Sequence, residues 1–271
     1  MIKLPIAVQL YTLRKEMAAD FEGTLKKVKE IGYDGVEFAG IFDKDPLYIK
    51  QLCENLGLIP ISAHVPYLAL LENTDELIDT YEKIGVSQIV IPYLLPEYRP
   101  GTENFLSVID GIRKIADTCK ARGMALSYHN HDFEFEKLGD EYALDKIYRE
   151  IPEELLKTQL DTCWVKVAGE DPVKYLEKYE GRIPTVHLKD FRGNRTANMY
   201  ELIGVKNDGK TAQLEKFQFK PCGYGVQNMP AIIDAATKNG AEWFIVEQDG
   251  IEPQKTAFES IKMSLDYLKS L

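Results

Sequence analysis

The chain has 271 residues, of which 45% are apolar, 10% aromatic and 28% charged, so a large core is available and a disordered chain is excluded. A formal charge of −10 with a pI near 5.1 argues against a phosphate-backbone binder, which would normally need a basic face, and nucleic acid is not expected as a partner. Cys53, Cys119, Cys163 and Cys222 stand too far apart for a CxxC pair and read as reduced thiols of a cytoplasmic protein.

The first predicted strand covers residues 6–10, within the opening MIKLPIAVQLYTLR. That segment has an interrupted apolar run and no small-residue cleavage site, and no later stretch approaches about 18 apolar residues, so neither secretion nor a membrane span is expected. A helix over 20–31 places Leu25, Val28 and Ile31 on one face, stops at Gly32 and is followed at once by the strand Gly35-Val36-Glu37-Phe38. The same punctuation returns at Gly57 before a strand over 59–64, Gly85 before 88–91, Gly123 before 124–129 and Gly240 before 243–248. Strands over 158–161 and 184–188 flank a helix that Asp171 caps, Pro172 starts and Gly181 closes. A last helix over 254–271 turns Phe258, Ile261, Leu265 and Leu268 inward.

Eight strands alternating with helices and no linker predict one α/β domain over 1–271, a closed parallel (β/α)₈ barrel. The absence of GxGxxG after the first strand weakens an open dinucleotide-binding sheet. Between the seventh and eighth strands lies a long loop, 191–224, with Asn207-Asp208-Gly209 as a hairpin turn and the alternation Leu214-Glu215-Lys216-Phe217-Gln218-Phe219. In a barrel this loop falls on the catalytic face, where it either serves the site or is an ornamental hairpin.

A barrel of this kind builds its site at the C-terminal strand ends. Those ends deliver Glu37, His64, His129-Asn130-His131, Asp161, His187 with Lys189-Asp190, and Glu247-Gln248-Asp249. A lone histidine reads as an ordinary hydrogen-bonded side chain, but all four in the chain fall at predicted strand ends among carboxylates. His129, Asp161, His187 and Glu247 occupy comparable positions on strands five to eight, a ring able to hold one divalent metal ion and leave a position for substrate. Its oxygen and nitrogen donors suit Mn²⁺ first, with Zn²⁺, Co²⁺ and Mg²⁺ as alternatives. Strand alternation puts His131 beside His129 and Lys189 beside His187, one step nearer the loops.

The stretches "AVQLYTLR", "GYDGVEF", "YHNHDFEF", "LDTCW", "VHLKD" and "IVEQD" make the chain resemble, over essentially its whole length, the xylose isomerase-like TIM barrels described as sugar phosphate isomerases/epimerases. That superfamily includes tagatose and psicose epimerases, inosose dehydratases, inosose isomerases and endonuclease IV. The resemblance implies four metal ligands, usually Glu, Asp, His and Glu, which carry over to His129, Asp161, His187 and Glu247. Two departures stand out: His129 replaces the fifth-strand glutamate of the epimerases, and Trp164 stands where many members have a histidine. Ketose epimerases use the fifth- and eighth-strand glutamates as paired bases, a pair broken here, and "YHNH" is closer to the "YHHH" of inosose dehydratases.

The resemblance therefore implies a metal-dependent isomerase/epimerase on a sugar or keto-sugar, with a lyase or dehydratase on a keto-inositol or 3-keto-glycoside as the alternative. Both begin by removing a proton beside a metal-polarised carbonyl. Glu247 is expected as the base, His64 or Lys189 as the acid or carbonyl partner, Glu37, His131 and Glu134 as substrate contacts, and Trp164 as an apolar wall. Arg192 and Arg195 read as solvated loop charges rather than a phosphate grip. An endonuclease IV-like nuclease would want more histidines and a basic groove, and a non-catalytic sugar-binding barrel would need no metal ring. A small carbohydrate is the expected partner, and the oligomeric state is left open.

Overall fold

Helix ends fix how each strand begins. In the computed structural model, which describes residues 2–196 and 217–271, helix Phe21–Ile31 is capped by Asp20, whose side chain accepts the Gly23 N–H. It closes at Gly32 with φ 107°, a left-handed conformation that costs an L side chain about 1–2 kcal/mol. Gly57 and Gly85 close the next two predicted helices in the same way. Gly123 and Gly240 lie one residue beyond the caps of theirs, Arg122 and Asn239.

The strands that follow are β1 (Ile6–Gln9), β2 (Gly35–Phe38), β3 (Ile59–His64), β4 (Gln88–Ile91), β5 (Ala125–His129), β6 (Lys157–Asp161), β7 (Thr185–Leu188) and β8 (Trp243–Val246). Each pairs in parallel with the next, and β8 pairs with β1, so the sheet closes into a barrel. Register then decides which side chains meet: Gln9 lies opposite Glu37, and Asp161 opposite His187.

Helices bury one face against this barrel. Phe105–Ala121 buries Val108, Ile112, Ile115 and Cys119 at three- and four-residue spacing, each large aliphatic contributing about 1.5–3 kcal/mol. The last helix, Ala257–Lys269, starts later than periodicity predicts because Thr256 and Glu259 form a capping box. It buries Ile261, Leu265 and Leu268, with Phe258 half-buried against the same core. All four cysteines are free and buried. Among the described residues no helix is long and apolar enough to cross a membrane.

Two antiparallel ribbons decorate the loop end. Lys137–Leu138 pairs with Glu141–Tyr142, and Asp190–Gly193 pairs with Phe217–Lys220 at the roots of the 191–224 segment. The alternation Phe217-Gln218-Phe219 holds, with both rings buried and Gln218 exposed. Phe191, Phe217, Phe219 and Trp164 form an apolar cluster of their own. The expected turn at Asn207-Asp208-Gly209, with Leu214, Glu215 and Lys216, lies outside the described residues.

Candidate metal centre

β5 and β6 end on His129 and Asp161, β7 carries His187, and Glu247 follows β8 directly, its N–H still bonded to Leu188 O at 3.3 Å. One ligand atom from each of these four buried residues lies within 4.8 Å of the others. Donors sharing one ion at roughly 2.0–2.3 Å stand about 3–4.6 Å apart, so the four side chains are already close to a common coordination sphere.

The strongest sign that a cation belongs here is Asp161. Its Oδ1 accepts the N–H groups of Cys163 and Trp164 at 2.8 and 3.0 Å, capping the short helix Thr162–Val167. Its Oδ2 is buried without a hydrogen-bond partner, 3.6 Å from His129 Nε2 and 3.5 Å from Lys189 Nζ. Burial raises the Asp161 carboxyl above its ordinary value, and an ion at Oδ2 would offset the cost of burying that oxygen. The residues fit one divalent cation.

Charge is concentrated around the ring. Lys189 Nζ lies 2.6 Å from Asp249 Oδ2 and 2.9 Å from Glu247 Oε2. Burial alone would lower the lysine, but Asp249, Glu247 and Asp161 hold it well above its usual range. Burial opposes ionisation of Glu247 too, yet Lys189 and His187 outweigh it and keep that carboxyl well below the ordinary value. For Asp249, burial wins over Lys189 and pushes it up to about 7. Two carboxyls sharing one lysine are thus driven apart, the arrangement that separates base from acid in a site. Burial and the neighbouring His187 and His64 hold His129 well below its usual range, and burial with Lys189 does the same to His131. Both are neutral imidazoles near pH 7.

Under the ring, Glu37 accepts from Gln9 Nε2 at 2.7 Å, Ser62 Oγ at 2.5 Å, Gln159 Nε2 at 2.6 Å and His187 Nε2 at 2.7 Å. Burial would raise its carboxyl, but His64 and His187 hold it well below the ordinary value. Gln159 was missed from the sequence, although it lies two residues before Asp161 and so shares its face of β6. Asn130 and Gln227 were missed as working residues as well. Asn130 Oδ1 accepts the Asp161 N–H at 2.9 Å, and Gln227 Nε2 donates to Thr162 O at 2.7 Å. Asp190 ties the far side, accepting the N–H groups of Phe191, Gly223, Gly225 and Gln227.

A cavity of about 490 Å³ opens above, lined by the polar side chains of Tyr11, His64, His129, His131, Lys189, Glu247 and Asp249 together with Val65, Pro66, Leu77 and Tyr93, whose ring centroid lies 5.1 Å from that of His131. His64, His131 and Lys189 thus line this cavity. Glu37, Glu134 and Trp164, expected to touch substrate, stand behind the lining. Glu37 lies in the floor; Glu134 turns inward, accepting Tyr128 Oη–H at 2.6 Å and the His131 N–H at 2.8 Å. Trp164 packs behind His131, ring centroids 5.0 Å apart. Arg192 and Arg195 are exposed, and Arg195 pairs with Asp132 at 2.7 Å.

The family model described as the xylose isomerase-like TIM barrel matches residues 25–271. An inosose dehydratase of Clostridium beijerinckii is 25% identical over 275 residues, covering 92% of this chain and 89% of its own. A sugar phosphate isomerase/epimerase structure from Parabacteroides distasonis superposes with a TM-score of 0.79 at 22% identity, covering 99% of this chain and 98% of its own. The structure of the IOLI protein with a bound zinc atom does so with a TM-score of 0.71 at 16% identity, over 98% and 97%.

Proposed function

This chain belongs to the xylose isomerase-like TIM barrel family, and from that premise we propose that it is a metal-dependent carbon–oxygen lyase acting on a polyhydroxylated cyclic ketone of the inosose type. The observation that carries the proposal is the placement of the carboxylates. Among the described residues, the two carboxylates that line the cavity, Glu247 and Asp249, both come from the end of β8. On the β5 side stand His129 and His131, and Glu134 is turned away. Epimerisation wants a base on each face of the carbon; a one-sided set suits removal of a proton followed by loss of a neighbouring hydroxyl. This favours the lyase alternative over the isomerase/epimerase expectation, and the inosose dehydratase relatives support the same choice.

When bound, a divalent ion supplies Lewis-acid polarisation of the substrate carbonyl. Glu247, held ionised by Lys189 and His187, takes the proton from the adjacent carbon. The β-hydroxyl leaves as water with a proton from the Lys189–Asp249 pair, whose carboxyl titrates at about 7. His64 is less free for this step, since its Nε2 is bound to Gln159 Oε1 at 2.7 Å and lies 3.1 Å from Glu37 Oε1. Val65, Pro66 and Leu77 in the cavity lining would offer apolar contact to the substrate ring and limit water near the base.

The test is NMR of the Mn²⁺-loaded protein in D₂O with a panel of keto-inositols, ketoses and 3-keto-glycosides. Dehydration of a keto-inositol, with deuterium entering beside its carbonyl, is the expected result. Inversion at one carbon of a ketose without water loss would overturn the lyase reading in favour of an epimerase.

A further inference from the structure

Gln159 lies at the centre of the barrel, between the carboxylate of Glu37 below and two histidines above. Its Nε2 is 2.6 Å from Glu37 Oε2 and 3.3 Å from Thr185 Oγ1; its Oε1 is 3.0 Å from His129 Nδ1 and 2.7 Å from His64 Nε2. We infer that Gln159 is a positioning residue that holds His129 in the tautomer whose Nε2 lone pair faces the metal position. The inference rests on the metal ring proposed above, not on which reaction that ring performs.

An amide alone does not reveal which end is nitrogen. Glu37 decides it. Its two oxygens gather the side-chain donors of Gln9, Ser62 and His187, so this carboxylate accepts and has no hydrogen to offer. A reversed amide would put Gln159 oxygen against Glu37 Oε2 at 2.6 Å, two acceptors in repulsive contact. Gln159 nitrogen therefore faces Glu37, and its oxygen faces the histidines. A carbonyl only accepts, so His129 Nδ1 carries the hydrogen and His129 Nε2, 3.6 Å from Asp161 Oδ2, is left with the lone pair.

The same carboxylate acts directly on the other ligand histidine. His187 Nε2 donates to Glu37 Oε1 at 2.7 Å, and its Nδ1 lies 3.0 Å from Glu247 Oε2, on the ring side. One carboxylate thus orients two ligand imidazoles, His187 by contact and His129 through an amide relay. Partners of this kind typically change metal affinity by about 10- to 100-fold when removed.

The experiment begins with the chelator-treated wild-type protein, labelled with ¹⁵N-histidine. Long-range ¹H–¹⁵N correlation should show His129 protonated at Nδ1; protonation at Nε2 instead would overturn the inference with no variant needed. Gln159→Met should relax that preference and weaken Co²⁺ binding about 10- to 100-fold. Gln159→Glu, which sets two carboxylates face to face, should do the same, and the exchange Glu37→Gln with Gln159→Glu should recover at least a tenfold part of the loss by restoring a donor–acceptor pair. Unchanged His129 tautomer and Co²⁺ affinity in Gln159→Met would refute the relay. Failure of the lyase reading would show in the substrate panel and leave these spectra untouched.

Discussion

Replacing Lys189 by Met tests the charge balance of the site. The unbranched stem would still lie against the rings of Trp164 and Phe219, whose centroids are 5.4 and 5.2 Å from Nζ, while the ammonium is deleted. Three buried carboxylates, Asp249, Glu247 and Asp161, then lose the cation that stands 2.6, 2.9 and 3.5 Å from them. A unit pair about 3 Å apart at an effective dielectric of about 20 attracts by about 5–6 kcal/mol, a gross figure that desolvation reduces. Breaking such a buried pair costs about 3–5 kcal/mol net. At about 2–4 °C per kcal/mol for a domain of this size, metal-free Lys189→Met should melt roughly 6–20 °C below wild type. Mn²⁺ should narrow the gap, because an ion in the ring neutralises Asp161 and Glu247. Thermal and urea unfolding with chelator and with Mn²⁺ measure both effects. A gap below about 1 °C in chelator would mean the three carboxylates do not depend on Lys189, and a gap unchanged by Mn²⁺ would mean the ion binds elsewhere.

Asp161→Ala should weaken metal binding at least about tenfold and abolish turnover while losing only about 0.5–2 kcal/mol from the cap of helix Thr162–Val167; Asp161→Ser, which keeps a cap, separates the two effects in a metal titration beside an unfolding curve. Glu247→Gln should stop exchange of the proton beside the substrate carbonyl, whereas His129→Glu should keep the metal and part of the activity; wild-type exchange in Glu247→Gln, followed by NMR in D₂O, would place the base elsewhere. Burial lifts Glu134 to about 8, with Tyr128 and the His131 N–H opposing. Its folded value lies above the ordinary 4.5, so its contribution to stability is full below that value and is lost as pH rises through about 8. Glu134→Gln should therefore flatten the fall of unfolding free energy between about pH 5 and about pH 9, and parallel urea curves for both proteins would contradict the buried, proton-holding role.

The barrel was legible because helix, glycine and strand recur with a period set by backbone sterics, and Gly32, Gly57 and Gly85 stand at helix ends where a left-handed residue is required. The ring was legible because period-two alternation and parallel register bring equivalent strand ends to one level, as Asp161 opposite His187 shows. Alternation stops where strands stop. Glu134 lies in the 3₁₀ turn Phe133–Phe135, and Trp164 in the helix that Asp161 caps, so neither side chain follows the rule that places His131 beside His129. Gln159 escaped for a different reason: its partner Glu37 is 122 residues away, and nothing local says which amide end faces a carboxylate across the barrel. His129 in place of a fifth-strand glutamate was visible as an identity, and the broken pair with it, but whether another carboxylate takes over that place was not. A glutamate follows five residues later, and only the bonds from Tyr128 and the His131 N–H show that Glu134 is committed inward and unavailable as a replacement base. The proposed chemistry thus turns on where one carboxylate points, which the barrel's packing decides and strand periodicity does not.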